Sequence, residues 1–237
     1  MGLTWPMATG LARLRLRTLL VRLPQRLTHG FVLPLVLIAT VRAGAKADDA
    51  ARLAFAAAFL SACFMMMRAP AAGLTEERVS GVHRLLGAVG GVSPSATIAA
   101  HAVGLVALAI PPSVLFVAVA FWTGSPAGAG WPVPLALTYL ALNGLGMGFV
   151  GPRVSALSLL LITDVTTTAL MVFSPLLYPI EAVPAGLATL TRWLPSTAAT
   201  DATVRLWHGD AAGWAPTVYL AAWALALSIW GYRRFPS

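Results

Sequence analysis

The densest group of ionisable side chains in this sequence lies in the segment TEERVSGVHRLLG, at residues 75–87. It contains two carboxylates, two guanidinium groups and an imidazole, a set suited to ion pairs and hydrogen bonds. No second histidine lies at the spacing that a metal site on a helix would need. On a helical wheel the valines and leucines occupy one side and the charged residues the other, which predicts an amphipathic helix. Such a helix can rest on lipid headgroups or dock on a partner protein.

A single carboxylate, that of Asp164, lies inside a long apolar run. An ionisable group within a membrane span is a candidate functional residue, because leaving it in lipid costs about 2.5–3.5 kcal/mol. The neighbouring Thr163 and Thr166–Thr168 are able to solvate it. The open interpretations are a place in a transport path, a place at a dimer interface, proton coupling, and a structural hydrogen bond near the start of a helix.

Two glycine-rich patterns resemble nucleotide sites but lack the required context. GMGFVG, at Gly146–Gly151, ends an apolar run and precedes Pro152, whereas the dinucleotide fingerprint follows a strand. Gly144 and Gly148 instead have the spacing that lets membrane helices pack closely. GAVGGVSPS has no lysine to bind phosphate, because Lys46 is the sole lysine. With no DxxxD pair present either, we expect no catalytic residue, no metal site and no cofactor bound to this chain.

The composition indicates an integral membrane protein. Only 10% of the residues are charged, against about a quarter in soluble domains, and the mean hydropathy is +0.80. The apolar runs are long enough to cross a bilayer and do not alternate as membrane strands would. We predict an all-α fold with six transmembrane helices in a single domain, 1–237. The spans cover 28–43, 53–72, 96–122, 133–151, 154–178 and 214–232.

The basic residues indicate the orientation of these helices. Eleven of the sixteen lysines and arginines, Arg68 among them, fall in segments that are cytoplasmic if both termini are. The net charge of +8 is thereby explained without nucleic acid. Residues 8–26 predict an amphipathic helix in the membrane interface, with arginines reaching the headgroups. A cleaved signal peptide is the disfavoured alternative, because the basic region is long and five further spans follow.

The segment 75–92 resembles the cytoplasmic segment between the second and third spans of type-2 ABC (ABC-2) exporter permeases. Those proteins have a glutamate-rich start, then a glycine, a Leu-Leu pair and a proline-containing turn, as found here up to Ser93-Pro94-Ser95. In that family the segment is the coupling helix, which docks in a cleft of a separate ATPase subunit. The resemblance implies that the coupling residues are Glu76, Glu77, Arg78, Val79, Gly81, Val82, Arg84, Leu85 and Leu86.

A second stretch, 173–206, resembles the family's outer re-entrant segment before the last span. The matching residues are Tyr178, Pro179, Glu181, Pro184, Pro195 and Arg205. Two prolines that flank a carboxylate would end one helix and fold the chain back. Irregular backbone at membrane depth is tolerated only beside protein or a water-filled cavity. We therefore expect this segment, together with Asp164, to line the translocation path.

The resemblance implies a permease subunit that moves a hydrophobic or amphipathic substrate outward: a drug, an antibiotic or a lipid-like compound. ATP and Mg would be bound by a partner ABC ATPase, and a second permease subunit, identical or different, would complete the pathway. We expect a multi-pass protein in the plasma (cytoplasmic) membrane of a bacterium. Polysaccharide export and proton-coupled transport through Asp164 remain alternatives, whereas a membrane enzyme would need motifs that the sequence lacks.

Overall fold

The computed structural model describes residues 28–32, 34–36, 39, 50–79, 94–122, 128–150, 154–176, 178, 180 and 183–234. Over these ranges the regular elements are helices, with no strand. They are a π-helical turn (Thr28–Val32), α1 (Ala50–Ala62), a π-helical segment (Cys63–Arg68), α2 (Ala69–Val79), α3 (Pro94–Trp122), α4 (Pro132–Phe149), α5 (Ala156–Phe173), α6 (Ala185–Arg192), α7 (Pro195–Trp207), a 3-10 turn (Ala211–Gly213) and α8 (Trp214–Arg234).

Five stretches of the described chain are long and apolar enough to cross a membrane. They are Ala51–Glu76, Gly104–Phe121, Pro132–Phe149, Ala156–Phe173 and Ala211–Arg234. The predicted class, an all-helical integral membrane protein, is confirmed. The predicted first span, 28–43, is described only in pieces, at residues 28–32, 34–36 and 39, and the predicted interfacial helix, 8–26, lies wholly outside the described residues. The count of six spans therefore stays a prediction.

The helix that begins at Ala50 forms the centre of the core. Every side chain from Leu53 to Met67 is buried except that of Phe64. Many of these residues are alanines, and the small side chains let neighbouring helices approach the backbone of α1 closely. α1 packs against α3 and α7, and the π-helical segment packs against α4. Since the lipid is itself apolar, this tight packing, rather than escape from water, holds the helices together.

Two short helices, α6 and α7, connect α5 to α8. Pro184 immediately precedes α6 and Pro195 is the first residue of α7, positions where proline favours helix initiation. Trp207, the last residue of α7, has no exposed surface. Its ring centroid lies 5.0 Å from that of Phe116 in α3 and 5.6 Å from that of Trp131 before α4. This aromatic cluster (Phe116, Trp131 and Trp207) joins α7 to α3 and to the start of α4.

Helices α4 and α8 touch at their backbones. A Cβ atom added to Gly144 would lie 2.6 Å from the carbonyl of Leu227 in α8. A Cβ atom on Gly148 would collide with the ring of Trp230, and one on Gly231 would collide with the carbonyl of Gly144. Close approach of this kind between membrane helices requires glycine on the facing sides.

Replacing Gly144 with alanine should lower the stability of the protein by about 1–3 kcal/mol, because the added methyl group forces α4 and α8 apart. The measurement is thermal unfolding of the purified protein in detergent. Gly73 in α2 provides the matched control, since a Cβ atom there would meet nothing within 4 Å. Alanine at Gly73 should leave the stability unchanged or raise it slightly, because alanine favours the helix. Equal effects of the two variants would contradict the backbone contact.

Candidate functional site

An ion pair joins α5 to the π-helical segment. Arg68 Nη1 donates a hydrogen bond to Asp164 Oδ1 at 3.0 Å, between residues 96 positions apart in the sequence. The side chain of Arg68 is 29% exposed and that of Asp164 is 52% exposed, so the pair lies at the edge of the packed helices. Both residues lie inside candidate membrane spans. Because unpaired charges are costly at that depth, each side chain stabilises the other there.

The π-helical segment positions the Arg68 side chain. Met65, Met66 and Met67 are buried in the core, and Arg68 follows them at the end of the segment. The guanidinium lies over the ring of Phe64, with 5.5 Å between the guanidinium carbon and the ring centroid. Such a cation–π contact stabilises a guanidinium that has lost part of its hydration. π-helical turns within α-helices are rare and occur often at functional sites.

The structure corrects one interpretation of the sequence. The orientation argument counted Arg68 among the cytoplasmic residues; the candidate span Ala51–Glu76 includes Arg68, and the orientation itself stays a prediction. The hydroxyl groups of Thr163 and Thr168 donate to carbonyls one turn earlier in α5 instead of solvating Asp164. Threonines within helices commonly do so because those carbonyls are within reach. The sequence argument therefore missed Arg68, although a cation inside an apolar run was the available signal.

A small hydrophobic cluster lies beside the ion pair. It joins α2, the end of α4 and the start of α5, and its buried members are Ala71, Leu74, Met147, Val150 and Leu159. Elsewhere α5 is largely exposed, with Leu157, Leu161 and Val165 on its outer surface. α5 contacts α2 and α4 through this cluster and the π-helical segment through the ion pair, while Leu170 and Met171 near its end pack against the main core.

The predicted coupling residues lie only partly within the described chain. α2 continues from the span without a break to Val79, so Glu76, Glu77, Arg78 and Val79 extend the same helix, and Glu76 is exposed at its end. Gly81, Val82, Arg84, Leu85 and Leu86 lie outside the described residues. The amphipathic helix predicted from Thr75 thus begins as an extension of the second span, and its remainder stays a prediction.

The predicted re-entrant residues lie beyond the end of α5. Tyr178 donates a hydrogen bond from its hydroxyl group to the carbonyl of Val172, and its own carbonyl accepts a hydrogen bond from Arg52 Nη1 at 3.2 Å. Pro184 caps the start of α6, while Pro179 and Glu181 lie outside the described residues. Asp164 is more than two helical turns before the end of α5, so the structure does not bring it together with Tyr178.

Comparison with known families identifies the chain. The family model described as "ABC-2 family transporter protein" matches residues 31–232, which include four of the candidate membrane spans and all but the last two residues of the fifth. Comparison with curated proteins finds no significant match. The matched region also contains the ion pair, the small hydrophobic cluster and both short helices. The chain is therefore a multi-pass membrane component of a transporter and belongs to the ABC-2 family of transporter proteins.

Proposed function

We propose that this protein is the permease subunit of an ABC exporter in the plasma (cytoplasmic) membrane of a bacterium, with both termini in the cytoplasm. A partner ABC ATPase binds and hydrolyses ATP with Mg, and two permease subunits, identical or different, form the pathway. The cargo is hydrophobic or amphipathic: a drug, an antibiotic or a lipid-like compound. Membership of the ABC-2 family supports the general assignment. One structural observation supports the mechanism, namely the unbroken helix from Ala50 to Val79.

That helix connects the core of the membrane domain to the segment that docks on the ATPase. At 1.5 Å per residue it is about 45 Å long. A displacement of its cytoplasmic end is carried to Leu74 and Ala71 in the small hydrophobic cluster, and from there to α5. The Arg68–Asp164 ion pair links the same two elements. ATP binding by the partner therefore acts on α5 through two adjacent contacts, one apolar and one ionic.

The cargo class is supported by an apolar cleft between α1, α4, α5, α7 and α8. Phe59, Leu142, Leu170, Ala199 and Leu220 line it, with almost no polar surface. Its volume is only about 30 Å³ in this structure, far below the roughly 300–1,000 Å³ of ordinary ligand pockets. In the proposed mechanism the movement of α5 widens this cleft during transport. Its apolar lining favours a lipid-like cargo over polysaccharide.

Charge reversal in the coupling segment tests the proposal. The double variant Glu77→Lys/Arg84→Glu should lose association with the partner ATPase and lower stimulated ATP hydrolysis at least tenfold, since the docking contacts become repulsive. Association is measured by co-purification from membranes and hydrolysis in proteoliposomes. The control is Arg233→Glu, at the end of α8, which carries a charge reversal on the same proposed membrane face. Unchanged association and hydrolysis in the double variant would exclude this segment as the coupling helix.

A further inference from the structure

The short helix α6 has three different sides. Thr191 faces the protein and is 2% exposed. Leu187 and Leu190 form an exposed apolar side, with 43% and 59% of their surfaces open. Thr189 and Arg192 form an exposed polar side. At about 100° per residue, the buried, apolar and polar sides occupy separate arcs of the helix. In a helix that meets water on every exposed side, the leucines would face the protein instead.

Trp193, directly after α6, extends the apolar side. Its backbone is still helical, so it follows Leu187 and Leu190 at the same three-residue spacing. Its side chain is 66% exposed. On the buried side, the carbonyl of Thr191 accepts a hydrogen bond from Thr197 Oγ1 at 2.6 Å, which attaches α6 to α7. The helix is therefore bonded to the protein on one side and turns three large apolar side chains outward on another.

Contacts with α8 indicate the depth of α6 in the membrane. The hydroxyl group of Tyr219 donates to the carbonyl of Trp193 at 2.7 Å, and the two rings are in edge contact. Tyr219 comes five residues after Trp214, the first residue of α8, which is about 8 Å along the helix axis. The candidate span that contains α8 begins at Ala211. The end of α6 therefore lies near the boundary of the membrane and not at its centre.

The apolar side of α6 adjoins the lipid-facing surface of α8. Trp214, Val218 and Leu225 lie on one side of α8 and are all exposed. Because α8 is a candidate membrane span, this side contacts lipid. Tyr219, next to Val218, carries the contact with Trp193. Tryptophan and tyrosine concentrate at the membrane–water interface, where the ring is in lipid and the polar atom is hydrated. The lipid that surrounds the start of α8 therefore also reaches α6.

We propose that α6 is an interfacial helix that docks on the lipid leaflet at this end of α8. Leu187, Leu190 and Trp193 insert among the acyl chains just below the headgroups, and Thr189 faces water. Such helices bury their apolar side about 5–10 Å into the boundary between headgroups and acyl chains. This agrees with the position of Tyr219, about 8 Å from the start of α8. The contact goes beyond the proposed function, since it needs neither an ATPase nor a cargo.

Spin labels test the position of each side of α6 in the full chain, reconstituted in lipid nanodiscs without an ATPase. Cys63 is the sole cysteine, so Cys63→Ala provides the background for single labels at Leu190→Cys, on the apolar side, and Thr189→Cys, on the polar side. The measurement is the collision rate of each label with oxygen, which dissolves in lipid, and with a water-soluble nickel chelate. The ratio of oxygen to nickel collisions should be at least about threefold higher at Leu190→Cys.

Two results would overturn the proposal. Equal ratios at Leu190→Cys and Thr189→Cys would mean that the apolar and polar sides meet the same medium. Exclusion of both reagents from the label at Leu190→Cys would mean that protein, such as a second permease subunit, covers the apolar side in place of lipid.

A carboxylate on the apolar side should lift α6 out of the lipid. With the label at Leu187→Cys, the further change Leu190→Asp should lower the ratio of oxygen to nickel collisions at least about twofold, because a charge resists transfer into acyl chains. The matched control is Thr189→Asp, which adds the same charge on the polar side of the same helix and should leave the ratio unchanged. Both positions are exposed, so neither change disturbs the packed core. Equal effects of the two variants would reject the contact with lipid.

Discussion

Replacing Arg68 with methionine should destabilise the membrane domain by about 2.5–3.5 kcal/mol and reduce transport at least tenfold. Methionine preserves the length and packing of the side chain but removes the charge, so the Asp164 carboxylate loses the hydrogen bond donated at 3.0 Å. An unpaired carboxylate at membrane depth costs about that much free energy on insertion scales. Stability is measured by thermal unfolding in lipid nanodiscs, and transport in proteoliposomes that contain the partner ATPase.

A double-mutant cycle separates the ion pair from other effects of Arg68. The variant Asp164→Leu should also destabilise the protein, because it leaves the guanidinium unpaired. The double variant Arg68→Met/Asp164→Leu should recover most of the lost stability, since it contains neither charge. If the two single effects simply add, the two side chains do not stabilise each other and the ion pair has no energetic role.

Asp164→Asn distinguishes the exporter from proton-coupled transport. In the proposed exporter, asparagine keeps a polar partner for Arg68, so reduced transport should continue and should still require ATP hydrolysis by the partner. A proton-coupled transporter would lose all coupled transport, because an amide, unlike a carboxyl group, does not bind and release a proton near neutral pH. ATP-independent uptake in the native protein, abolished in Asp164→Asn, would favour the secondary transporter.

Replacing Trp207 with alanine should give the largest loss of stability, about 3–5 kcal/mol. Trp207 has no exposed surface and packs against Phe116 and Trp131. The truncation leaves a cavity where α3, α4 and α7 meet, and the surrounding rings lose their packing contacts. The measurement is thermal unfolding in detergent with and without added lipid.

Trp214→Ala provides the control for the aromatic cluster, because Trp214 is 46% exposed at the start of α8. The loss of a tryptophan at that exposed position should cost under about 1 kcal/mol. A similar destabilisation by both variants would mean that the interior contacts of Trp207 contribute little beyond its interaction with lipid.

The sequence predicted the fold class and the approximate positions of the membrane spans, because a membrane restricts the hydrogen bonding of the backbone in a simple way. Every backbone polar group in lipid must be paired within its own segment, so long apolar runs must be helices. The prolines that flank Glu181 likewise predicted that one helix ends and the chain folds back, and α6 begins directly after Pro184. The sequence did not predict where the helix of the second span ends, because that helix continues beyond the apolar run to Val79.

The candidate site was harder to predict than the fold. Asp164 was identified from its position in an apolar run, but its partner was not. Arg68 lies 96 residues earlier, and a rule that assigns arginines to the cytoplasmic side gives no reason to pair it within the membrane. The π-helical geometry that directs its guanidinium depends on packing against α4 and α5, which spacing alone does not encode. The aromatic cluster similarly depends on which helix ends meet.

The π-helical segment also fixes which side of α2 is apolar. A π-helical turn takes about one residue more than an α-helical turn, and each residue of an α-helix corresponds to a rotation of about 100°. Without that extra residue, the side chains of α2, which follows Arg68, would be rotated by about 100° around the helix axis. Leu74, now 5% exposed, would leave the space between α4 and α5. A deletion of one codon among Met65–Met67 would therefore misalign the part of the helix that follows Arg68 while leaving its length and hydropathy almost unchanged.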